Sequence, residues 1–223
     1  MEFIRLLGLN ILVLFKSFFE YCLVMGKYYS NVQFRKVDTL LLWRYLLNNP
    51  FRISRDFLLD RGENDVYTYG ETPLTTMDLI AKKCTIGKGD TVYELGCGRG
   101  RTCFWLRVFI GCRVIGVEYV PQFVEIANEV KGKVGATDVD FRLEDMLQSN
   151  LFGATVVYLY GTCYEEAFIK ELIRKFEALP KGTRVITVSY SLAEFGSKEY
   201  VLDRTFSASF TWGEGEVYLQ VRR

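Results

Sequence analysis

An apolar stretch, Thr91 to Leu95, runs directly into three alternating glycines, Gly96, Gly98 and Gly100, and then into a helical pattern from Arg101 to Ile110. A strand, a glycine-rich turn and a helix in that order leave few folds open. Glycines let the backbone come close to a ligand, and the N–H groups of the helix start face the crevice beyond the strand. The spacing narrows the ligand. A dinucleotide fingerprint puts its third glycine where Arg101 stands, and a phosphate loop needs a Gly-Lys-Ser/Thr that does not follow this strand.

The same alternation continues downstream. Pro73 sits early in a helix starting at Thr72 and running to Lys83, as proline does in first turns. Arg113 to Glu118 reads as a strand, Pro121 to Lys131 as a helix, and Val139 to Leu143 and Ala154 to Tyr160 as strands. Glu165 to Leu179 is a helix stopped by Pro180-Lys181-Gly182, and Thr183 to Tyr190 a strand. Tyr200 to Phe210 and Glu216 to Arg222 pair through Trp212-Gly213-Glu214-Gly215. The expected fold is α/β: a doubly wound, mainly parallel sheet with right-handed crossovers and an antiparallel C-terminal hairpin.

Residues 1–60 read as a helical N-terminal extension, and residues 61–223 as the α/β domain. Phe3 to Met25 is apolar but interrupted by Arg5, Asn10, Lys16, Ser17 and Glu20. On a helix these five share a sector of roughly 140°, leaving a wide apolar face. A lipid-spanning helix needs about 20 mostly apolar residues, and Lys16 with Glu20 would cost a few kcal/mol near mid-depth. Residues 3–25 are expected to pack on the body or in a dimer, with a membrane surface as the alternative contact and a true span last. A second helix, Val32 to Leu47, is broken by Asn48-Asn49-Pro50. Tyr28 to Arg35 and Arg52 to Asp65 read as charge and connection.

Composition excludes more than it proposes. With no histidine in 223 residues, a Ser-His-Asp triad, a His-dependent zinc site and a histidine general base are all absent. Six cysteines without a Cys-x-x-Cys pair are expected to be reduced, buried and in an intracellular, cytoplasmic protein. The 28 Lys plus Arg balance 27 Asp plus Glu, so net charge selects neither nucleic acid nor membrane.

The acidic-x-Gly-x-Gly-x-Gly run formed by Glu94, Gly96, Gly98 and Gly100 resembles the cofactor loop of class I (seven-strand, Rossmann-like) S-adenosylmethionine-dependent methyltransferases. Three later positions agree. Glu118 ends the next strand, where a carboxylate accepts from ribose hydroxyls. Glu144-Asp145-Met146 follows the third strand, where that family holds the adenine amino group and lays an apolar residue under the ring. Leu159-Tyr160-Gly161-Thr162 ends the fourth, beside the reacting centre. Singly, each has a structural reading as a tight turn, a solvated strand end or core packing; in this order they point together to one site. The resemblance implies S-adenosyl-L-methionine as cofactor, S-adenosyl-L-homocysteine as product and no metal. It places Glu94, Gly96, Cys97, Gly98, Gly100, Glu118, Glu144, Asp145 and Met146 around the cofactor.

Within that class, Tyr69 to Tyr190 resembles the disruptor-of-telomeric-silencing type of non-SET lysine methyltransferases. It shares Tyr69-Gly70-Glu71-Thr72, Gly116-Val117-Glu118, Glu144-Asp145 and an aromatic-rich fourth strand. The Tyr-Gly-Glu-Thr loop of that family closes over the methionine part of the cofactor, which implies Tyr69 and Thr72 beside it. Where the family carries paired asparagines after strand four, this chain has Tyr160 and Gly161. A chain with an apolar N-terminal helix also resembles small membrane-anchored lysine methyltransferases. The implied acceptor is a protein lysine, whose amine is desolvated by aromatic walls such as Tyr160 and Tyr164 with Tyr69. A small or membrane-associated molecule, and a cofactor-binding protein without catalysis, are the alternatives. Nucleic acid is the least favoured acceptor, for no Asn-Pro-Pro-Tyr-type segment follows strand four.

Overall fold

The structure, a computed structural model, describes residues 16–63, 65, 66, 69–162 and 164–223. The first half of the expected N-terminal helix, and Cys163, lie outside these residues.

Seven strands form one sheet in the order β3-β2-β1-β4-β5-β7-β6. β1 (Thr91–Leu95), β2 (Arg113–Glu118), β3 (Val139–Leu143), β4 (Val156–Leu159) and β5 (Arg184–Val188) pair in parallel. β7 (Gly213–Arg222) enters antiparallel between β5 and β6 (Tyr200–Phe210). The expected doubly wound sheet with a closing hairpin is the one observed. The hairpin turn is tighter than its glycines suggested, because Phe210 already pairs with Gly213 and only Thr211 and Trp212 remain to turn.

β1, β2, β4 and β5 bury both faces along near-continuous apolar runs, whereas the edge strand β3 alternates and leaves Leu143 exposed. Val92, Val114, Val156 and Tyr158 face one core with α4 (Leu74–Lys83), α5 (Arg101–Trp105) and α6 (Pro121–Val134). Tyr93, Leu95, Ile115, Val117, Val157 and Leu159 face the other, under α7 (Glu166–Glu177). The helix after the glycine loop does not stay α-helical: Leu106–Ile110 is a π turn ending on Gly111 at φ +80°.

The N-terminal helices join the first core rather than stand apart. Val24 and Tyr28 of α1 (residues 16–28) and Phe34, Val37 and Leu41 of α2 (Val32–Tyr45) are buried in it. Asp38 of α2 is fully buried and receives Arg101 through two hydrogen bonds, at 2.6 and 2.8 Å, which locks α2 to α5. α1 is tied to α4 by Glu20, which accepts from the Thr75 backbone and hydroxyl at 3.1 and 2.7 Å. Among the described residues no helix is long and apolar enough to cross a membrane.

Two expectations are corrected. Arg52 to Asp65 is not a connection, since Pro50–Asp60 is a helix, α3. Asn49 Oδ1 accepts from the Phe51 N–H at 2.9 Å and Pro50 occupies the first turn, so the triplet that ends α2 also starts α3. Nor are all cysteines buried: Cys84, Cys97, Cys103 and Cys112 are, while Cys22 on α1 is exposed.

Candidate active site

The strand order reverses between β1 and β4, and ligands of open α/β sheets bind outside the C-terminal strand ends at such a point. A cleft of ≈ 490 Å³ opens there, within the range of small-molecule sites. It gathers nine of the residues singled out from sequence: Tyr69, Gly96, Gly98, Glu118, Glu144, Asp145, Met146, Tyr160 and Tyr164.

The glycine loop is shaped by its own backbone. The Gly96 and Cys97 N–H groups both donate to the Val117 carbonyl, at 2.8 and 3.1 Å, turning the chain sharply off β1. Gly96 and Gly98 have φ of +73° and +53°, a left-handed conformation that glycine adopts without strain. A side chain at Gly98 would come within 3.2 Å of the Tyr69 ring, so this glycine is where Tyr69 closes on the loop. Gly100 serves packing: a Cβ there would lie 2.3 Å from Phe141.

Glu118 is buried at the loop's open side. Its Oε2 accepts from Gly98 N–H at 2.7 Å, and its Oε1 from Tyr119 and Val120 N–H at 2.7 and 2.9 Å. Burial raises its pKa, and those three bonds offset the rise only in part. Asp145 Oδ1 caps its own turn through Leu147 N–H at 2.8 Å, and Glu144 accepts from the Ser149 hydroxyl at 2.5 Å.

Thr72, Glu94 and Cys97 sit behind the cleft, around a second void of ≈ 20 Å³ that adjoins Gly96. That is room for about one water. Thr72 shares a 2.5 Å hydrogen bond with Tyr158 there. Glu94 points toward α5 because its neighbours Tyr93 and Leu95 take the opposite face of the strand. It accepts from Thr102 at 2.5 Å and Cys103 at 3.1 Å. Burial pushes its carboxyl up to about 7, despite both bonds.

Three contributions escaped sequence reasoning. Glu71 grips Arg99 of the glycine loop through two 2.5 Å bonds, tying Tyr69-Gly70-Glu71-Thr72 onto that loop. Burial alone would raise the Glu71 pKa, but the Arg99 guanidinium holds it below its ordinary value. Ser54 and Leu58, one turn apart on α3, line the cleft from above, where no helix was expected. Gly161 makes room for Tyr164, whose ring would lie 2.3 Å from a Cβ at that position. The Tyr160-Gly161 pair is therefore one packed unit with Tyr164, and its only sequence signal was the aromatic spacing itself.

A glycine loop after β1, an acid at the end of β2 and a carboxylate pair after β3, all converging on one cleft of a seven-stranded sheet, define a class I S-adenosylmethionine-dependent methyltransferase. Residues 86–210 match the methyltransferase domain family, and the chain belongs to it. It is 29% identical to an H3 lysine-79 specific histone-lysine N-methyltransferase of Dictyostelium discoideum, over 72% of this chain and 10% of the relative. It is 26% identical to one of Gibberella zeae, over 66% of this chain and 33% of that protein. The chain thus spans about a tenth and about a third of these curated relatives. Among solved structures it is similar to an RNA methyltransferase from Salinibacter ruber in complex with S-adenosyl-L-homocysteine. The TM-score is 0.57, with 27% identity, 68% of this chain and 93% of that one covered.

Proposed function

We propose that the protein transfers a methyl group from S-adenosylmethionine to the ε-amine of a protein lysine. The observation that carries this is the lining of the cleft. Among its described residues stand six carboxylates, Glu63, Asp65, Glu118, Glu144, Asp145 and Glu165, beside Tyr160, Tyr164 and Phe168, and no lysine or arginine. Glu118, Glu144 and Asp145 face the cofactor, and the remaining three, Glu63, Asp65 and Glu165, favour a cationic alkylamine and oppose a phosphate-bearing acceptor. The sequence similarity to enzymes named for histone lysine supports the same choice.

The residues present fit the cofactor: the cleft is large enough, its glycines expose backbone, and Glu118 is preset. When bound, S-adenosylmethionine supplies a sulfonium-activated methyl group as the electrophile. Gly96 and Gly98 admit it against bare backbone, and Tyr69 closes on its methionine end, with Thr72 behind it. Glu118 faces the ribose. Three backbone N–H groups occupy its carboxylate, so one acceptor direction on Oε2 remains for a hydroxyl, and a second opens only if Gly98 N–H turns away. Glu144 and Asp145 serve the adenine amino group and Met146 lies under the ring. Tyr160 and Tyr164 wall the acceptor position, where confinement aligns the amine with the methyl carbon.

Incubation with methyl-labelled cofactor and either core histones or total RNA tests this reading. Label recovered as methyl-lysine, with loss of about tenfold or more in kcat for Tyr160→Ala, is the expected outcome. Label found only in RNA would contradict it.

A further inference from the structure

The N-terminal helices reach the glycine loop through its two arginines. Arg99 and Arg101 flank Gly100, and both are buried. Arg101 ends on the Asp38 carboxylate of α2. Tyr45 stands two turns further along that helix, also buried, and its ring lies beneath the Arg99 guanidinium at 5.2 Å. The edge of the guanidinium is taken by Glu71, whose carboxylate also accepts from the Tyr69 hydroxyl. The Tyr69 ring in turn covers Gly98, and Phe123 meets both tyrosine rings, at 5.1 Å for Tyr69 and 6.1 Å for Tyr45. One line of contacts therefore runs from α2 to the cofactor face of the loop, through Tyr45, Arg99, Glu71, Tyr69 and Gly98. Among the described residues the buried Tyr45 hydroxyl has no hydrogen-bond partner.

We propose that Tyr45 is a positioning residue for the cofactor, acting on the glycine loop through Arg99 and Glu71. This rests on the cofactor reading above and is independent of the acceptor. A guanidinium taken out of water is held when its edge meets a carboxylate and its flat face meets an aromatic ring. Glu71 supplies the edge contact and Tyr45 the face, so Arg99 keeps one orientation, and Glu71 and the Tyr69 hydroxyl keep theirs with it. Asp38 sets the register, because its bonds to Arg101 hold α2 where Tyr45 falls under Arg99. Without the ring, water reaches the guanidinium face and screens its attraction to Glu71. Tyr69 then loosens from Gly98, and the cofactor leaves faster. The ring does this work and the unpartnered hydroxyl adds nothing to it. The N-terminal extension is thereby part of the cofactor site.

The test measures S-adenosylhomocysteine binding to the full chain by calorimetry, with amide exchange at residues 69–72 and 96–100 as a second reading. Tyr45→Leu removes the ring, Tyr45→Phe removes only the hydroxyl, and Arg99→Met removes the guanidinium. Leu41→Ala cuts into the same buried face of α2 one turn earlier and serves as the control for general loosening. The expected result is affinity about fivefold weaker in Tyr45→Leu, with faster exchange in both segments, and affinity within about twofold of wild type in Tyr45→Phe and Leu41→Ala. Arg99→Met should weaken binding about tenfold, and adding Tyr45→Leu should weaken it no further, since the ring then has no cation to hold. If Arg99→Met or Leu41→Ala does not fold, the comparison of Tyr45→Leu with Tyr45→Phe decides alone. Wild-type affinity in Tyr45→Leu, an equal loss in Tyr45→Phe or Leu41→Ala, or losses at Tyr45 and Arg99 that add, overturns the role of Tyr45 and leaves the cofactor reading standing. No binding by the wild type overturns both.

Discussion

Glu94 shows how one buried side chain sets a property of the whole fold. It is 5% exposed, with only a hydroxyl and a thiol as donors, and burial lifts its pKa from 4.5 to about 7. The native state therefore binds the proton more tightly than the unfolded chain. Stability from this group is full below pH 4.5 and is lost as pH rises toward 7, by roughly 3 kcal/mol over that window. Glu118 is shifted in the same direction and adds to the trend. Urea unfolding between pH 5 and 8 should show wild type weakening as pH rises, and Glu94→Gln should weaken distinctly less. Equal slopes would mean that Glu94 is not the titrating group.

At the scale of elements, α3 is the least anchored piece that touches the cleft. Ser54 is its one buried residue, and its aromatic holds are Phe51 on Tyr69 at 5.1 Å and Phe57 on Tyr119 at 5.5 Å. Removing its cap with Asn49→Ala should cost about 1 kcal/mol, felt locally. Amide exchange in residues 50–60 should quicken in that variant, and S-adenosylhomocysteine should slow it, because Ser54 and Leu58 line the cleft. Exchange that neither change affects would remove α3 from the site. This helix was also the element that sequence reading lost. Asn48-Asn49-Pro50 carries a stop signal and a start signal in the same three residues, and the charges at Arg52, Arg55, Asp56 and Asp60 hide a narrow apolar stripe. By contrast β1, β2 and β3 were legible to the residue, since β1 and β2 are short, mainly apolar runs bounded by glycine or charge and β3 alternates strictly between apolar and charged residues.

For the whole molecule, what was readable followed chain order. Glu118 ends its strand and Gly96, Glu144 and Tyr160 each stand just past one, and a parallel sheet brings successive strand ends to one edge, so topology alone assembled them. Ser54 lines the same cleft from the N-terminal helices, and Trp212 at the hairpin tip touches it only through Tyr160. Glu94 and Gly100 belong to the motif yet face the core, because strand alternation and the Phe141 ring dictate where each points. No local pattern records such contacts; they depend on how the hairpin and the N-terminal helices fold back over the sheet. The claim on which everything rests is that this assembled cleft holds S-adenosylmethionine with Glu118 at its centre. Calorimetry of S-adenosylmethionine and S-adenosylhomocysteine, with NADH as control, on wild type and Glu118→Gln tests it directly. The amide retains the Tyr119 and Val120 bonds through its oxygen but turns a donor where Gly98 N–H and a hydroxyl need an acceptor. Micromolar binding of both sulfur compounds, weakened by about 1–3 kcal/mol in the variant and with none for NADH, is the predicted result; wild type that binds neither would contradict the account.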